Sequence, residues 1–149
     1  MKDLSWCKAQ KSGIELIDPS ENLMDSYFKA SERAVLAMQR IGPDLYEWYI
    51  TTAYYACYHA FYAVCMQVGI KSEIHDCTLK LLSLFPLSPS EIHFLRQLKK
   101  DRLDTQYYLL IKSVPTVESI TIFVNKCRQI SNTLTPDTIQ KIREVVKND

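Results

Sequence analysis

Apolar positions recur at three- and four-residue intervals along most of the chain, the repeat of α-helices that bury one face. Leu23, Tyr27, Ala30, Ala34, Ala37 and Ile41 predict a long helix that closes at Gly42-Pro43. Asp18-Pro19-Ser20-Glu21 opens it, with Asp18 as N-cap, Pro19 in the first turn and Glu21 at the capping-box position. A second helix is expected from about Leu45 to Gln67, ending at Gly69, and a third over about Ile74–Leu84. Ser88-Pro89-Ser90-Glu91 repeats the cap, proline and capping-box pattern and predicts a helix towards Tyr108. Val117, Ile120, Val124, Cys127, Ile130 and Leu134 mark another, and Thr135-Pro136 begins a polar last one to about Lys147. A short helix around Ser5–Lys11, ended by Gly13, precedes them all. Short connections between such helices predict an all-α, up-and-down bundle of about five main helices. It forms one domain over residues 1–149, with its core in about 20–135.

Composition narrows this picture only a little. Three glycines in 149 residues leave little turn material for a many-stranded β fold. A net charge of +1 gives no strong global attraction to nucleic acid or a membrane. The charge is nevertheless uneven: residues 1–95 carry 8 Lys/Arg against 11 Asp/Glu, and residues 96–149 carry 10 against 6. That tilt permits a basic face in the C-terminal third. The five cysteines, Cys7, Cys57, Cys65, Cys77 and Cys127, form no C-x-x-C pair and four lie in apolar helical patterns. They are expected to be free thiols acting as small hydrophobes rather than a disulfide framework. The N-terminal MKDLSWCKAQKSG contains no apolar run of signal-peptide length, which predicts a cytoplasmic protein.

The second helix needs separate treatment, because Trp48 to Ile70 holds no Asp, Glu, Lys or Arg. A membrane span is the rival reading. Thr51, Thr52, Tyr49, Tyr54, Tyr55, Tyr58, Tyr62, His59 and Gln67 oppose it, since hydrocarbon penalises unpaired polar groups by several kcal/mol. A buried bundle helix is therefore expected, with no membrane partner. On a helical wheel it has three faces. Ile50, Cys57, Phe61, Val64 and Val68 are purely apolar, and Ala53, Ala56, Ala60 and Ala63 would let another backbone come close. Trp48, Thr52, Tyr55, His59, Tyr62 and Met66 form an aromatic stripe able to hydrogen-bond, either as core aromatics or as the lining of a site or dimer seam.

Candidate chemistry concentrates at Arg102. It shares a stripe with Leu95, Leu98 and Leu109, and burying an unpaired guanidinium is costly. Arg102 must therefore meet a carboxylate from another helix or face a cleft or seam that admits an anion. Arg96, Lys99 and Lys100 fall on other faces and are expected to be solvated. His59, His75 and His93 lie on three separate helices without metal-ligand spacing, so no metal site and no cofactor is expected. No glycine-rich phosphate loop occurs.

Tyr54-Tyr55-Ala56-Cys57-Tyr58-His59-Ala60-Phe61-Tyr62-Ala63, followed by Gly69-Ile70-Lys71 and His75, resembles the central helix and following turn of HEPN domains. Arg102-Leu103-Asp104-Thr105-Gln106-Tyr107-Tyr108 is similar to the arginine-centred motif those proteins carry further along. The resemblance covers roughly residues 20–135. It implies a helical bundle, commonly homodimeric, and in prokaryotes the toxin-like half of a pair with a small nucleotidyltransferase (MNT-type) partner. Many members are metal-independent endoribonucleases whose motif is an arginine followed four to six residues later by histidine. Here Arg102 matches, but Tyr107 stands where the histidine would fall, and no histidine follows His93. A histidine titrates near neutrality, whereas tyrosine, at about 10, is a poor proton carrier. The resemblance thus implies an RNA- or nucleotide-binding site of Arg102, Asp104, Gln106, Tyr107, Tyr108, Tyr55, His59 and His75. Arg102 is its one catalytic candidate, and Tyr107 and Tyr108 are candidate targets for modification by the partner. Three readings follow: a binding protein of this type, a working endoribonuclease using His59 or His75, or a non-catalytic interaction module in which Arg102 makes a structural ion pair.

Overall fold

The computed structural model describes residues 3–149. Met1 and Lys2, the start of the expected domain, lie outside the described residues. The elements are α1 (Leu4–Ala9), β1 (Glu15–Leu16), α2 (Glu21–Ile41), α3 (Tyr46–Val68), β2 (Ile70–Lys71), α4 (His75–Lys80), α5 (Pro89–Tyr108), α6 (Val117–Thr133) and α7 (Pro136–Asn148). A 3-10 turn at Leu81–Leu84 extends α4, and the two strands form one short antiparallel ribbon. The chain is thus the all-α bundle that its periodicity predicts.

Hydrogen bonds between helices fix their directions. Ser31 Oγ donates to the Ala56 carbonyl at 2.6 Å and Ser20 N to that of Met66 at 3.0 Å, so α2 runs against α3. Tyr46 and Tyr49, at the start of α3, donate to the carbonyls of Ser113 (3.0 Å) and Pro115 (2.8 Å), just beyond the end of α5. Gln67, at the other end of α3, donates to the Ser131 carbonyl near the end of α6 at 3.0 Å. Helix α5 is therefore antiparallel to α3, and α6 is parallel to it. The four long helices alternate in direction, as short connections require.

Helix α3 is enclosed by its neighbours, and that enclosure accounts for its lack of charge. Ala53, Ala56, Ala60 and Ala63 are fully buried, and this small-residue face admits α2 closely enough for the Ser31 bond. Ile50, Cys57, Phe61, Val64 and Val68 are buried with them. No helix among the described residues is long and apolar enough to cross a membrane. At its C-terminal end Gly69 adopts φ +84, and a Cβ there would collide with Arg143 and with the Ile17 carbonyl. From α7, Arg143 Nη1 donates to the carbonyls of Ile17 (2.8 Å), Val68 (3.0 Å) and Gly69 (3.0 Å). A cation thus sits on the orphan carbonyls at the negative end of the central helix.

Several local expectations are corrected. Ser20, not Asp18, caps α2, its Oγ accepting from Leu23 N at 3.1 Å. Ile17 N and Ser20 N donate to the Gly69 and Met66 carbonyls, which holds the chain extended until Ser20 and leaves Pro19 outside the helix. The buried side of α2 centres on Phe28, Ser31 and Met38, with Tyr27, Ala34 and Ile41 partly buried beside it, and Leu23 is exposed. Leu109 leaves the stripe of α5 because the helix ends at Tyr108; Leu109 is its left-handed cap (φ 55) and is 85% exposed. The capping box at Ser88 and Glu91 forms as expected. Cys57, Cys65 and Cys127 are free and buried, but Cys7 and Cys77 are joined by a disulfide that ties α1 to α4. The two lie 70 residues apart in sequence and become neighbours only through the fold.

Candidate functional site

Among the described residues Arg102 meets no carboxylate. Its partners among them are aromatic: Nη1 donates to Tyr55 Oη at 3.4 Å, and the guanidinium carbon lies 4.6 Å from the Tyr54 ring centre and 5.4 Å from that of Tyr55. A guanidinium over ring faces gains cation–π attraction without losing its charge. Its Nε is buried and makes no hydrogen bond among the described residues. Two rows of α3 supply the rings, because Tyr54, Tyr55, Tyr58, His59 and Tyr62 are spaced to face α5, α4 and α2 in turn.

Helix α4 brings His75 into the same cluster. Its ring stacks on Tyr58 with centroids 4.1 Å apart and 12° between planes, and Nδ1 lies 2.8 Å from Tyr54 Oη. Burial pushes the Tyr54 hydroxyl well above its ordinary value, so it stays protonated, and it shares with Nδ1 a hydrogen bond whose direction follows the imidazole tautomer. Tyr58 is fixed beneath His75 by donating to Thr78 Oγ1 at 2.9 Å, and Thr78 in turn donates to the Ile74 carbonyl at 3.3 Å. Burial, and then the charges of Arg102 and Lys99, hold the His75 imidazole down to about 4, with Asp76 acting in the opposite sense. His59 stacks on Tyr55 (5.4 Å) and Tyr27 (5.7 Å), and burial lowers its pKa as well. Its Nδ1 is buried and makes no hydrogen bond among the described residues. The result is one fixed positive charge beside two neutral imidazoles. Arg102, Tyr55, His59 and His75 are all half-buried, so water reaches the cluster's edge.

Of the residues expected at the site, these four gather and the other four do not. Asp104 points away from the cluster, accepting from Lys100 Nζ at 3.0 Å with Lys112 Nζ at 3.7 Å. The hydrogen bond from Lys100 is the first cause holding its carboxyl below the usual range. Gln106 is exposed and borders a shallow groove with Trp48 and Leu109. Tyr107 and Tyr108 are 74% and 71% exposed at the end of α5, beside the equally exposed Leu109 and Ile111. His93, the third histidine, is exposed on α5 and takes no part.

Tyr54, Tyr58, Thr78 and Lys99 belong to the cluster's framework and were not among the expected site residues. The available signal was the i, i+4 spacing of Tyr54 and Tyr58, which puts two hydroxyls on one side of α3. Their partners on α4 follow no spacing rule. Fold and site together define an all-α bundle in which tyrosines and His59 of the central helix meet His75 of α4 and Arg102 of α5. Compared with known proteins, the chain matches no family model, no curated protein and no solved structure.

Proposed function

We propose that the protein is a HEPN-like helical-bundle protein that binds RNA or a nucleotide through a phosphate held by Arg102. It acts as a homodimer, as the toxin-like half of a pair with a small nucleotidyltransferase, in the cytoplasm. One observation carries the binding reading: Arg102 is half-buried with two tyrosine rings and no carboxylate partner among the described residues. A structural ion pair, the basis of the interaction-module reading, would need that carboxylate. An arginine in this setting keeps its charge and its forked donors for a bidentate anion such as a phosphodiester. The exposed run Tyr107–Ile111 beside Trp48 supports the homodimer, as an apolar surface that a second copy would cover. Cytoplasmic thiols would keep Cys7 and Cys77 reduced there, with the enclosed core of α3 still in place.

The test is fluorescence anisotropy with a labelled single-stranded RNA and with a labelled mononucleotide, across a salt series. Affinity should fall as salt rises. Arg102→Ala should weaken binding at least tenfold, and Arg102→Lys should recover only part of it, because a point charge cannot fork. No affinity at low salt would overturn the reading.

The endoribonuclease reading has one specific support, which is that His75 comes from α4 to stand beside Arg102 where the arginine motif itself lacks a histidine. Incubation of RNA with the native protein in EDTA tests it. Cleavage abolished by both Arg102→Ala and His75→Gln supports it; equal cleavage by all three proteins, or none by the native one, sinks it.

A further inference from the structure

A cleft of about 470 Å³ opens between α4 and α5, immediately outside the Arg102 cluster. Leu79 and Leu103 form its apolar part. Its two carboxylates are already engaged: Asp76 pairs with Lys99 at 2.7 Å, and Asp104 with Lys100 at 3.0 Å. Lys80 and Arg96 also line the cleft and have no carboxylate partner among the described residues. Arg96 Nη2 donates to the Leu79 carbonyl at 3.3 Å, which carries its guanidinium across towards α4. The cleft therefore has two cations in excess of its acids.

The cleft and the cluster are built on the same two helices, α4 and α5. His75 precedes Asp76 on α4, and Arg102 precedes Leu103 on α5. Lys99 belongs to both, lining the cleft while its charge reaches His75. At 100° per residue, Arg96, Lys100, Leu103 and Tyr107 also share one face of α5. Along about 16 Å of that helix, cations give way to a tyrosine ring that is 74% exposed. A basic groove that ends on an open aromatic ring suits a single strand, whose phosphates follow the cations while a base stacks on the ring. A rigid duplex has no free base for Tyr107, and a small anion has no use for the length.

We propose that the α4–α5 cleft is a second subsite that holds backbone phosphates flanking the one at Arg102, so that the ligand is a single-stranded oligonucleotide rather than a mononucleotide. This rests on the reading of Arg102 as a phosphate site. Lys80 and Arg96 are the principal contacts, Lys100 joins them when it exchanges Asp104 for phosphate, and Tyr107 receives a base at the exit.

The experiment compares uridine monophosphate with an octauridylate, using native protein, Lys80→Ala/Arg96→Ala and Arg102→Ala. For native protein, the octanucleotide should show a steeper dependence of log affinity on log salt than the mononucleotide. The double variant should lose about tenfold in octanucleotide affinity, and its slope should be shallower by roughly 1.4, at about 0.7 per lost single-strand contact. Its mononucleotide affinity should stay as in the native protein. Equal slopes for the two ligands with native protein overturn the subsite. So does a double variant with native octanucleotide affinity, or polyglutamate of matched charge that displaces the octanucleotide as well as RNA does. Mononucleotide affinity that survives Arg102→Ala counts instead against the Arg102 reading.

Discussion

Replacing His75 by glutamine should flatten the acid side of the stability curve. Glutamine retains a group that can accept from Tyr54 Oη but carries no titratable proton. In the folded chain the imidazole is held from its ordinary 6.5 down to about 4, first by burial and then by Arg102 and Lys99. The folded value lies below the unfolded one, so the unfolded chain takes up the proton first as pH falls. The stabilisation is therefore fully present above about pH 6.5 and is lost progressively as pH drops towards 4. At about 1.4 kcal/mol for each tenfold change in proton affinity, the ceiling is roughly 3 kcal/mol. His75 is only half-buried, and solvent screening lowers the expected difference to about 1–2 kcal/mol. Urea unfolding of both proteins at steps from pH 7.5 to 4 provides the measurement, because carboxylate titration is common to both curves and cancels in their difference. The imidazole resonances of His75 give the direct check. Parallel stability curves, or an imidazole that titrates at its ordinary value, would refute the packing argument.

Arg143→Met should destabilise the fold by about 2–3 kcal/mol in urea unfolding, since charge-assisted bonds to three carbonyls are lost but water reaches part of the site. Gly69→Ala should cost at least as much, because it combines a left-handed backbone with a collision against Arg143 and the Ile17 carbonyl. Reduction of Cys7–Cys77, which closes a loop of about 70 residues, should lower stability by up to about 4 kcal/mol in the chain-entropy picture. Thermal unfolding with and without reductant measures it, with Cys7→Ser as the control that should no longer respond.

Much of the fold is legible because helical burial writes itself locally. The uncharged run of α3, its alanine face, the Ser88 capping box and the Ile120–Ile130 stripe of α6 are all short-range patterns, and each is found where the periodicity puts it. What is misplaced depends on contacts distant in sequence. Asp18 loses the cap of α2 because Ile17 and Ser20 are tethered to the end of α3, and Cys7 finds Cys77 only once α1 packs against α4. The site divides in the same way. Tyr55 and His59 share a stripe that the wheel reveals, and Arg102 stands out because it is charged on an apolar face. His75 enters the expected set through the resemblance alone. That it stacks on Tyr58 while Tyr107 and Tyr108 stay outside is not readable from spacing, since it depends on where α4 lies and where α5 stops. Arg96 and Lys99 look like ordinary solvated charges on the wheel of α5; the apposition of α4 turns them into one wall of a cleft.

If Arg102 holds a phosphate as proposed, binding should take up a proton. Among the described residues, Arg102, Lys99 and His59 keep His75 neutral in the free protein, and Asp76 opposes them. A phosphodiester at Arg102 brings a negative charge next to the guanidinium and offsets part of its repulsion, as any opposite charge near an ionisable group favours its charged form. The His75 value then rises from about 4 towards that of a free imidazole. By linkage, a ligand that raises a pKa binds more tightly when the group is protonated. Affinity for the mononucleotide should therefore increase between pH 8 and pH 5.5 in native protein, beyond the change shown by His75→Gln. The sign is the discriminating feature: loss of the ligand's own charge at lower pH would weaken binding in both proteins equally. Matching pH profiles for native protein and His75→Gln would mean that no anion settles close enough to Arg102 for His75 to sense it.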